Sequence, residues 1–224
     1  MTKPALPTIV IATRNVGKLR EFQTLLCPLN FDIRSLEDFA HNTEGVEIEE
    51  SGSTFAENAR IKAIGYSRLV PFPVLADDSG LEVDALGGQP GIHSARYAGP
   101  DATDEDRIRK LLGELEKHKG EKWSARFVCA LALAQNGEII AQSEGSCSGV
   151  IIREMRGSQG FGYDPVFLFP EQGKTFAELD EAEKNQSSHR ARAVAGLTPM
   201  GVPPAVLVEH AGEDAGAPKS IAFL

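Results

Sequence analysis

Two adjacent carboxylates, Asp77 and Asp78, follow the apolar residues 74–76 in the segment ADDSG. Buried carboxylates destabilise a fold unless they are paired, so two of them at a strand end are typical of a site that binds a cation. Neighbouring side chains of a regular strand point to opposite faces, so both aspartates can contact one ion only if the chain bends at Ser79-Gly80. The pattern predicts unequal roles for the two, with an Asx turn at the strand end as the alternative.

The segment TRNVGK, residues 13–18, separates an apolar run from a helical pattern. Backbone N–H groups at a helix start favour an anion, and Lys18 adds a positive charge, so the segment predicts a phosphate-binding loop. It does not match the P-loop template, which needs glycine at Ala12 and serine or threonine at Leu19. Helix capping by Thr13 or Asn15 is the alternative that the segment itself leaves open.

The segment GFGYDP, residues 160–165, combines glycines with aromatic side chains. Its glycines permit close approach of a backbone, and Phe161 or Tyr163 offers a flat face on which a base can stack. A glycine-rich turn with both aromatics in the core explains the segment equally well. Taken alone, it therefore predicts either a base-binding strip or a structural turn.

The segment EKNQSSHR, residues 183–190, brings three potential donors together: Lys184, His189 and Arg190. Such donors suit phosphate charge or the carbonyl edge of a base, although a solvated helix face is the simpler interpretation of this segment alone. Together the four segments supply a phosphate cradle, an acid for a metal, a stacking surface and a cationic clamp. This combination predicts a nucleoside triphosphate site.

The elements that must position these segments follow an α/β order. The acidic stretch 37–52 and the Gly/Pro-rich stretch 79–100 are predicted to be loops. A mixed sheet is expected in one domain over residues 1–198, followed by a largely irregular Gly/Pro/Ala-rich tail, 199–224, with one short strand at 205–210. Apolar periodicity predicts helices at 14–26, 55–69, from Asp101 or Thr103 to Leu115, and, in one piece or two, 176–195. Strands are predicted at 8–13, 31–36, 72–76, 123–135, 138–145, 147–152 and 165–169, with a hairpin turn at Asn136-Gly137.

The composition of the 224 residues argues against several classes of protein. A net charge of −9 opposes general binding to a nucleic-acid backbone, which requires a basic surface. The three cysteines form no C-x-x-C pair, which argues against a disulfide framework or a zinc site and indicates a reducing cytosol. No apolar run approaches the length of a membrane span. The expectation is a cytoplasmic protein without nucleic-acid or membrane partners.

Five ordered segments resemble the inosine triphosphate pyrophosphatase family, whose members clear non-standard purine nucleoside triphosphates. They are ATRNVGK, SGSTFAENARIKA, LADDSGLEVDALGGQPGIHSARYAG, QGFGYDP and EKNQSSHRARA, and they span roughly residues 8–195. The resemblance implies an elongated α/β fold of two lobes around a long mixed sheet, with the nucleotide in the cleft between them. It also implies a homodimer, dependence on Mg²⁺, and hydrolysis of ITP, dITP or XTP to the monophosphate and pyrophosphate.

The resemblance also assigns roles at matching positions. Asp78 corresponds to the general base and a metal ligand, and Glu50 to a second metal-binding carboxylate. Lys62 corresponds to a phosphate contact and Ser79 to a substrate contact. The remaining substrate-binding positions are Thr13, Arg14, Asn15, Val16, Gly17 and Lys18 in the phosphate loop, Phe161, Gly162, Tyr163 and Asp164 in the base-binding strip, and Lys184, His189 and Arg190, which close over the base and phosphates.

Two departures from the family pattern and two alternative functions accompany this interpretation. Gln159-Gly160 stands where Gly-Gly is common, and Gly196 and Pro199 interrupt the helix with which the family usually ends. Donors at His189 and Arg190 favour a 6-oxo purine over adenine, but they do not explain rejection of guanine, which also has a 6-oxo group. The alternatives are a pyrophosphatase for pyrimidine or other modified nucleotides, and a nucleotide-binding module without hydrolysis.

Overall fold

A single mixed sheet organises the described part of the chain, which in this computed structural model is residues 6–118, 120 and 122–197. Its seven strands follow the order β2-β1-β3-β4-β5-β6-β7, with β1 parallel to β2 and β3 and every other pair antiparallel. The predicted α/β class with a mixed sheet is confirmed. The strands are β1 Thr8–Ile11, β2 Asp32–Ser35, β3 Val74–Val83, β4 Ser124–Gln135, β5 Glu138–Ile151, β6 Phe167–Phe169 and β7 Lys174–Thr175.

The helices begin where capping side chains stand in the sequence. Asn15 accepts a hydrogen bond from the N–H of Lys18, Thr54 caps the third helix, and Thr103 forms a capping box with Asp106. None of the helices in the described ranges is long and apolar enough to cross a bilayer. The α-helices are α1 Val16–Leu26, α2 Ala40–Thr43, α3 Phe55–Ser67, α4 Asp104–Leu115, α5 Glu181–Ser187 and α6 His189–Leu197.

The structure corrects three predicted boundaries. β3 does not end at Ala76 with a bend at Ser79-Gly80, because its ten residues pair continuously with β4 as far as Val83. β5 is one strand where two were predicted, since its glycines are sites of close packing rather than breaks. The predicted loop 37–52 contains a 3₁₀ helix, Glu37–Phe39, and α2. The predicted tail 199–224 lies outside the described residues.

Three hydrophobic clusters surround the sheet, and β3 contributes to each of them. Ala76 belongs to the cluster against α3, and Leu75 to the cluster against α1 and α6 on the opposite face. Leu81 belongs to the third cluster, which includes the buried residues of α4. Residues 77–80, which are polar or glycine, therefore lie on β3 between the residues that pack in the first two clusters and the residues that pack in the third.

Candidate active site

The two adjacent aspartates point to opposite faces of β3. Asp77 is 2 % exposed, and its carboxylate pairs with Nζ of Lys18 from α1 at 2.8 Å. Asp78 is 8 % exposed and accepts a hydrogen bond at 3.0 Å from the amide of Asn58 in α3. Strand alternation alone separates the two side chains, so no bend is needed to give them different partners.

The electrostatic surroundings of the two carboxylates differ as much as their partners. Burial raises the pKa of Asp77, but the charges of Lys18, Arg190 and Lys62 outweigh it and lower the pKa to about 2. Burial also raises the pKa of Asp78 and here prevails over Lys18 and Lys62, so that the pKa is about 6. Asp77 is a paired carboxylate that anchors cations, and Asp78 is a carboxylate short of compensating positive charge.

Lys62 joins the acidic residues on the α3 face of the sheet. Its ammonium group pairs with Glu50 at 2.7 Å and donates to the backbone carbonyl of Asp77 at 3.0 Å. The negative charge of Glu50 contributes to the raised pKa of Asp78, which places the two carboxylates within electrostatic reach of each other. Glu50, Lys62 and Asp78 thus form one charged group beside the start of α3.

The predicted phosphate loop divides into residues that face the site and residues that do not. Asn15 and Lys18 line a cavity beside β3, and the hydroxyl of Thr13 accepts a hydrogen bond from the N–H of Asn15. Among the described residues, the lining of this cavity includes neither Arg14, which donates to the carbonyl of Val46 at 2.7 Å, nor the largely exposed Val16. Capping by Asn15 and binding of an anion use different N–H groups, so the two interpretations of the loop are compatible.

The cavity beside β3 has a volume of about 130 Å³ and combines flat and donor side chains. Phe127 of β4 forms one wall together with Ser79 and Gly80 of β3. The other lining residues come from α1, the 3₁₀ helix Gly91–Arg96, α4, the GFGYDP segment and α6: Asn15, Lys18, Ser94, Ala95, Asp104, Arg107, Phe161, Gly162, Tyr163, Asp164, His189 and Arg190. A cavity of this size and chemistry suits an aromatic heterocycle with hydrogen-bonding edges.

A buried ion network holds two of the predicted cations in place. Glu21 of α1 accepts from Lys184 and from Arg190, each at 2.7 Å. Lys184 also pairs with Asp164 at 2.7 Å, and Arg190 donates to the hydroxyl of Ser79 at 3.0 Å. The network preorganises Arg190 against the cavity, whereas Lys184 lines a neighbouring pocket with Gly17, Glu21 and Phe161. Less ordering of these cations is therefore required when a ligand binds.

His189 is buried against the cavity with both ring nitrogens unpartnered among the described residues. Its ring stacks on Phe127, with centroids 4.9 Å apart and planes 16° from parallel. Burial, reinforced by the positive charges of Arg190 and Lys184, holds the pKa of His189 well below its usual value. The neutral imidazole therefore offers one donor and one acceptor to a bound molecule.

The two aromatic residues of the base-binding strip have different surroundings. Tyr163 is buried and donates its hydroxyl to the carbonyl of Ser94 at 3.0 Å, so its ring belongs to the core. The half-buried ring of Phe161 has the cationic groups of Lys184 and Arg190 at 5.2 and 5.1 Å from its centroid. A Cβ at Gly17 would come within 2.6 Å of this ring. Phe161 is thus the ring available for stacking, and glycine at position 17 makes room for it.

Some residues of the site carry no motif of their own. Glu21 stands one helical turn after Lys18, and Asn58 stands one turn before Lys62. Their position one turn from a predicted site residue, on the same side of the helix, was the signal that could have identified them. Phe127 lies in an unbroken apolar strand pattern. Nothing local to that strand distinguishes a residue that faces a cavity from one that faces the core.

The donor set on the α3 face fits a hard divalent cation. The described residues contain no group of three or more His, Cys, Asp or Glu side chains placed to hold a metal. Magnesium, however, typically takes one or two carboxylates and fills its remaining positions with water and substrate phosphates. Asp78 and Glu50 are two such carboxylates, and burial raises the pKa of Asp78 by more than the nearby lysines lower it. These residues therefore fit a cation that is shared with a phosphorylated substrate.

Comparison with known proteins places the chain among nucleotide hydrolases. The dITP/XTP pyrophosphatase of Geobacillus kaustophilus is 54% identical over 189 residues, which cover 84% of this chain and 91% of the relative. That of Bacillus subtilis is 47% identical, with 85% and 95% covered. Among solved structures, a HAM1 protein from Coxiella burnetii has a TM-score of 0.77 and 45% identity, with 86% of this chain and 96% of that chain covered.

These similarities extend over most of the chain and confirm the family that the five sequence segments predicted. The sequence profile described as Ham1 family matches residues 9–200. This chain belongs to the Ham1 family.

Proposed function

We propose that the protein hydrolyses the non-standard purine nucleotides dITP, XTP and ITP to the nucleoside monophosphate and pyrophosphate. Relatives that share about half of their residues with it are dITP/XTP pyrophosphatases. Removal of such nucleotides from the precursor pool is the corresponding cellular task.

One observation carries the proposal: a single cavity brings the phosphate-loop residue Lys18 together with Phe161, His189 and Arg190. A purine ring suits the flat walls, and its 6-oxo group suits donors from the last helix. The triphosphate then extends from Lys18 toward the charged group on β3 and α3. Lys62 and Lys18 offset the negative charge that develops on the departing pyrophosphate, which is the main demand of such a reaction.

Asp78 and Glu50 are the carboxylates that would hold the cation, which we propose to be Mg²⁺. A cation in this position offsets phosphate charge and lowers the pKa of water. Asp78 orients the attacking water toward the α-phosphorus and receives its proton. A cation bound directly to Asp78 would lower its pKa and weaken it as a base, so this role requires either that Asp78 contact the cation through water or that the cation itself acidify the attacking water.

The proposal is tested by measuring pyrophosphate release from dITP, XTP, ITP, ATP, GTP and dUTP, with Mg²⁺ and with a chelator. Activity centred on the first three, and lost with the chelator, is the expected result. Asp78→Asn should lower turnover by about 10²–10⁴-fold, the usual contribution of a general base. The matched control is Asp84→Asn, an exposed residue just after β3, which should keep wild-type activity.

Two other outcomes would replace the proposal by a different function. Activity centred on dUTP would favour a pyrophosphatase for pyrimidine nucleotides. Binding of dITP without release of pyrophosphate would favour a nucleotide-binding module. Near-normal turnover of Asp78→Asn would leave the substrate assignment intact and end the assignment of Asp78 as base.

We further propose that the protein acts as a cytoplasmic homodimer. The support for the dimer is the resemblance of its sequence segments to the family, and the support for the cytoplasm is the absence of any C-x-x-C pair among its three cysteines. Light scattering of the purified protein should give twice the mass of one chain. A mass equal to one chain would contradict the dimer without affecting the proposed reaction.

A further inference from the structure

A guanidinium group from α4 reaches the cavity from a wall that the reaction described above does not use. Arg107 lines the same cavity as His189 and Arg190. Its side chain is only 19% exposed. Charged groups are rarely buried beside a cavity unless they are paired or take part in binding.

Two contacts fix the orientation of this guanidinium. One terminal nitrogen pairs with Asp104 on the same helix, and the other donates to the carbonyl of Ala102 at 2.7 Å. The N–H on Nε takes part in neither contact, is shielded from solvent, and has no hydrogen-bond partner within the described ranges. An unpaired buried donor lowers stability, so an acceptor on a bound molecule would satisfy it.

Asp104 connects Arg107 to the base-binding strip. One carboxylate oxygen receives Arg107, and the other receives the N–H of Gly162 at 2.7 Å. The charge of Arg107 is therefore balanced, and its position relative to the strip is fixed by α4. Both oxygens of Asp104 already accept a hydrogen bond, whereas Nε of Arg107 still has an N–H to donate.

The chemistry of the purine ring determines what such a donor can distinguish. Hypoxanthine, xanthine and guanine all carry an acceptor at C6, so His189 and Arg190 cannot separate them. At C2, xanthine carries an oxo acceptor, hypoxanthine a hydrogen, and guanine an amino donor. A fixed donor at C2 pairs with xanthine, whereas against guanine it leaves two buried donors unpaired.

We propose that Arg107 contacts the 2-position of the bound purine and is the specificity-determining residue that rejects GTP. The inference rests on the proposed function, since it concerns which base the same cavity accepts. His189 and Arg190 then select a 6-oxo purine, and Arg107 selects among the 6-oxo purines. Selection is shared by two helices on different walls of one cavity.

The test compares kcat/KM for XTP, GTP and dITP, with dITP as the internal reference. In Arg107→Met the ratio of XTP to dITP should fall, and the ratio of XTP to GTP should fall by about 10- to 100-fold, as expected for one charged hydrogen bond. In Arg107→Gln the amide oxygen can accept from the 2-amino group, so the ratio of GTP to dITP should rise. The matched control, Arg109→Met, removes an exposed arginine of the same helix and should leave all ratios unchanged.

The outcomes separate this inference from the proposed function. Wild-type enzyme that releases pyrophosphate from dITP and XTP, with ratios unaltered in both Arg107 variants, would overturn the role of Arg107 alone. Equal losses for all three substrates would also overturn it, since that result indicates a structural role. Wild-type enzyme inactive on all three would overturn the proposed function itself. If Arg107→Met does not fold, Arg107→Gln carries the test, because its amide can still donate to the Ala102 carbonyl.

Discussion

At the residue scale, Asp77 and Asp78 show how two neighbours with the same functional group come to differ in every property that matters. Both are buried, but only Asp77 has cations close enough to outweigh the effect of burial. Surplus negative charge at Asp78 is unfavourable for folding and favourable for binding a cation. The residue that is paired within the fold and the residue that we propose as the catalytic base are therefore adjacent in sequence and distinct in surroundings.

Substitution by asparagine should separate these roles experimentally. Asp77→Asn leaves Lys18 without its carboxylate, so the free energy of unfolding should fall by about 2–4 kcal/mol. Asp78→Asn retains an acceptor for Asn58 and removes an undercompensated charge, so the free energy of unfolding should not fall although turnover does. Urea unfolding of both variants measures the difference, and equal destabilisation would contradict the unequal roles.

The Glu21 network predicts a pH dependence of stability. Burial raises the pKa of Glu21, but the charges of Arg190 and Lys184 outweigh it, and the pKa lies below the ordinary value of 4.5. A carboxyl whose pKa is lower in the folded state stabilises the fold above its unfolded pKa, and this stabilisation is lost as pH falls through the folded value. The stability difference between wild type and Glu21→Gln should therefore be largest above pH 4.5 and shrink below it.

Urea unfolding at a series of pH values from neutral downward measures this difference. Gln23→Ala serves as a control on the exposed side of α1, because it removes an exposed amide that does not titrate and should give a difference independent of pH. A Glu21→Gln difference that stays constant as the pH falls below 4.5 would show that the carboxylate is not held ionised by its two partners.

At the scale of elements, the sequence predicts well what local periodicity determines. The helix expected to end at Leu115 is found at Asp104–Leu115, with Thr103 as its cap. β3 was predicted too short because the residues after Ala76 are polar or glycine. Its continuation to Val83 depends on backbone pairing with β4, and pairing across a sheet is not encoded in the pattern of either strand alone.

The candidate site could likewise be predicted where its residues are close in sequence, and not where they come from distant segments. Lys184, His189 and Arg190 stand in one short segment, so the sequence could bring them together. Their partner Glu21 precedes Lys184 by 163 residues, and Arg107 reaches the cavity from a helix that carries no recognised motif. Contacts between distant segments arise from packing, and one sequence without its relatives contains no signal for them.

Gly145 in β5 illustrates a glycine required by packing rather than by backbone conformation. A Cβ at this position would lie 2.3 Å from both the N–H nitrogen of Ala193 and the carbonyl oxygen of His189 in α6. Gly145→Ala should therefore displace α6, lower the free energy of unfolding by about 1–3 kcal/mol, and raise the KM for dITP because His189 and Arg190 move.

The control for this substitution is Gly113→Ala in α4, where a Cβ meets nothing within 4 Å. Alanine has the higher helix propensity, so this variant should gain up to about 1 kcal/mol. Thermal unfolding and steady-state kinetics measure both variants. A Gly145→Ala protein with unchanged stability and KM would show that α6 does not fix the position of its two donors.

At the scale of the whole molecule, the family match ends at residue 200 of 224. The site described here uses residues up to Arg190, and α6 ends at Leu197. A chain truncated after residue 200 should therefore keep the pyrophosphate release and melting temperature of the full chain. Loss of either would show that residues beyond the family match contribute to the site or its support.

The long sequence separation between Glu21 and its two cationic partners determines how late in synthesis the site can form. Arg190 follows Glu21 by 169 residues, and Lys184 and His189 lie in the same late segment. A nascent chain can pair β1, β3 and β4 while Glu21 and Asp77 still lack cations from that segment. The ribosome must complete nearly all of the family region before the cavity gains the donors of α6. We expect chains that terminate before this segment to lack the groups that we propose to select the base.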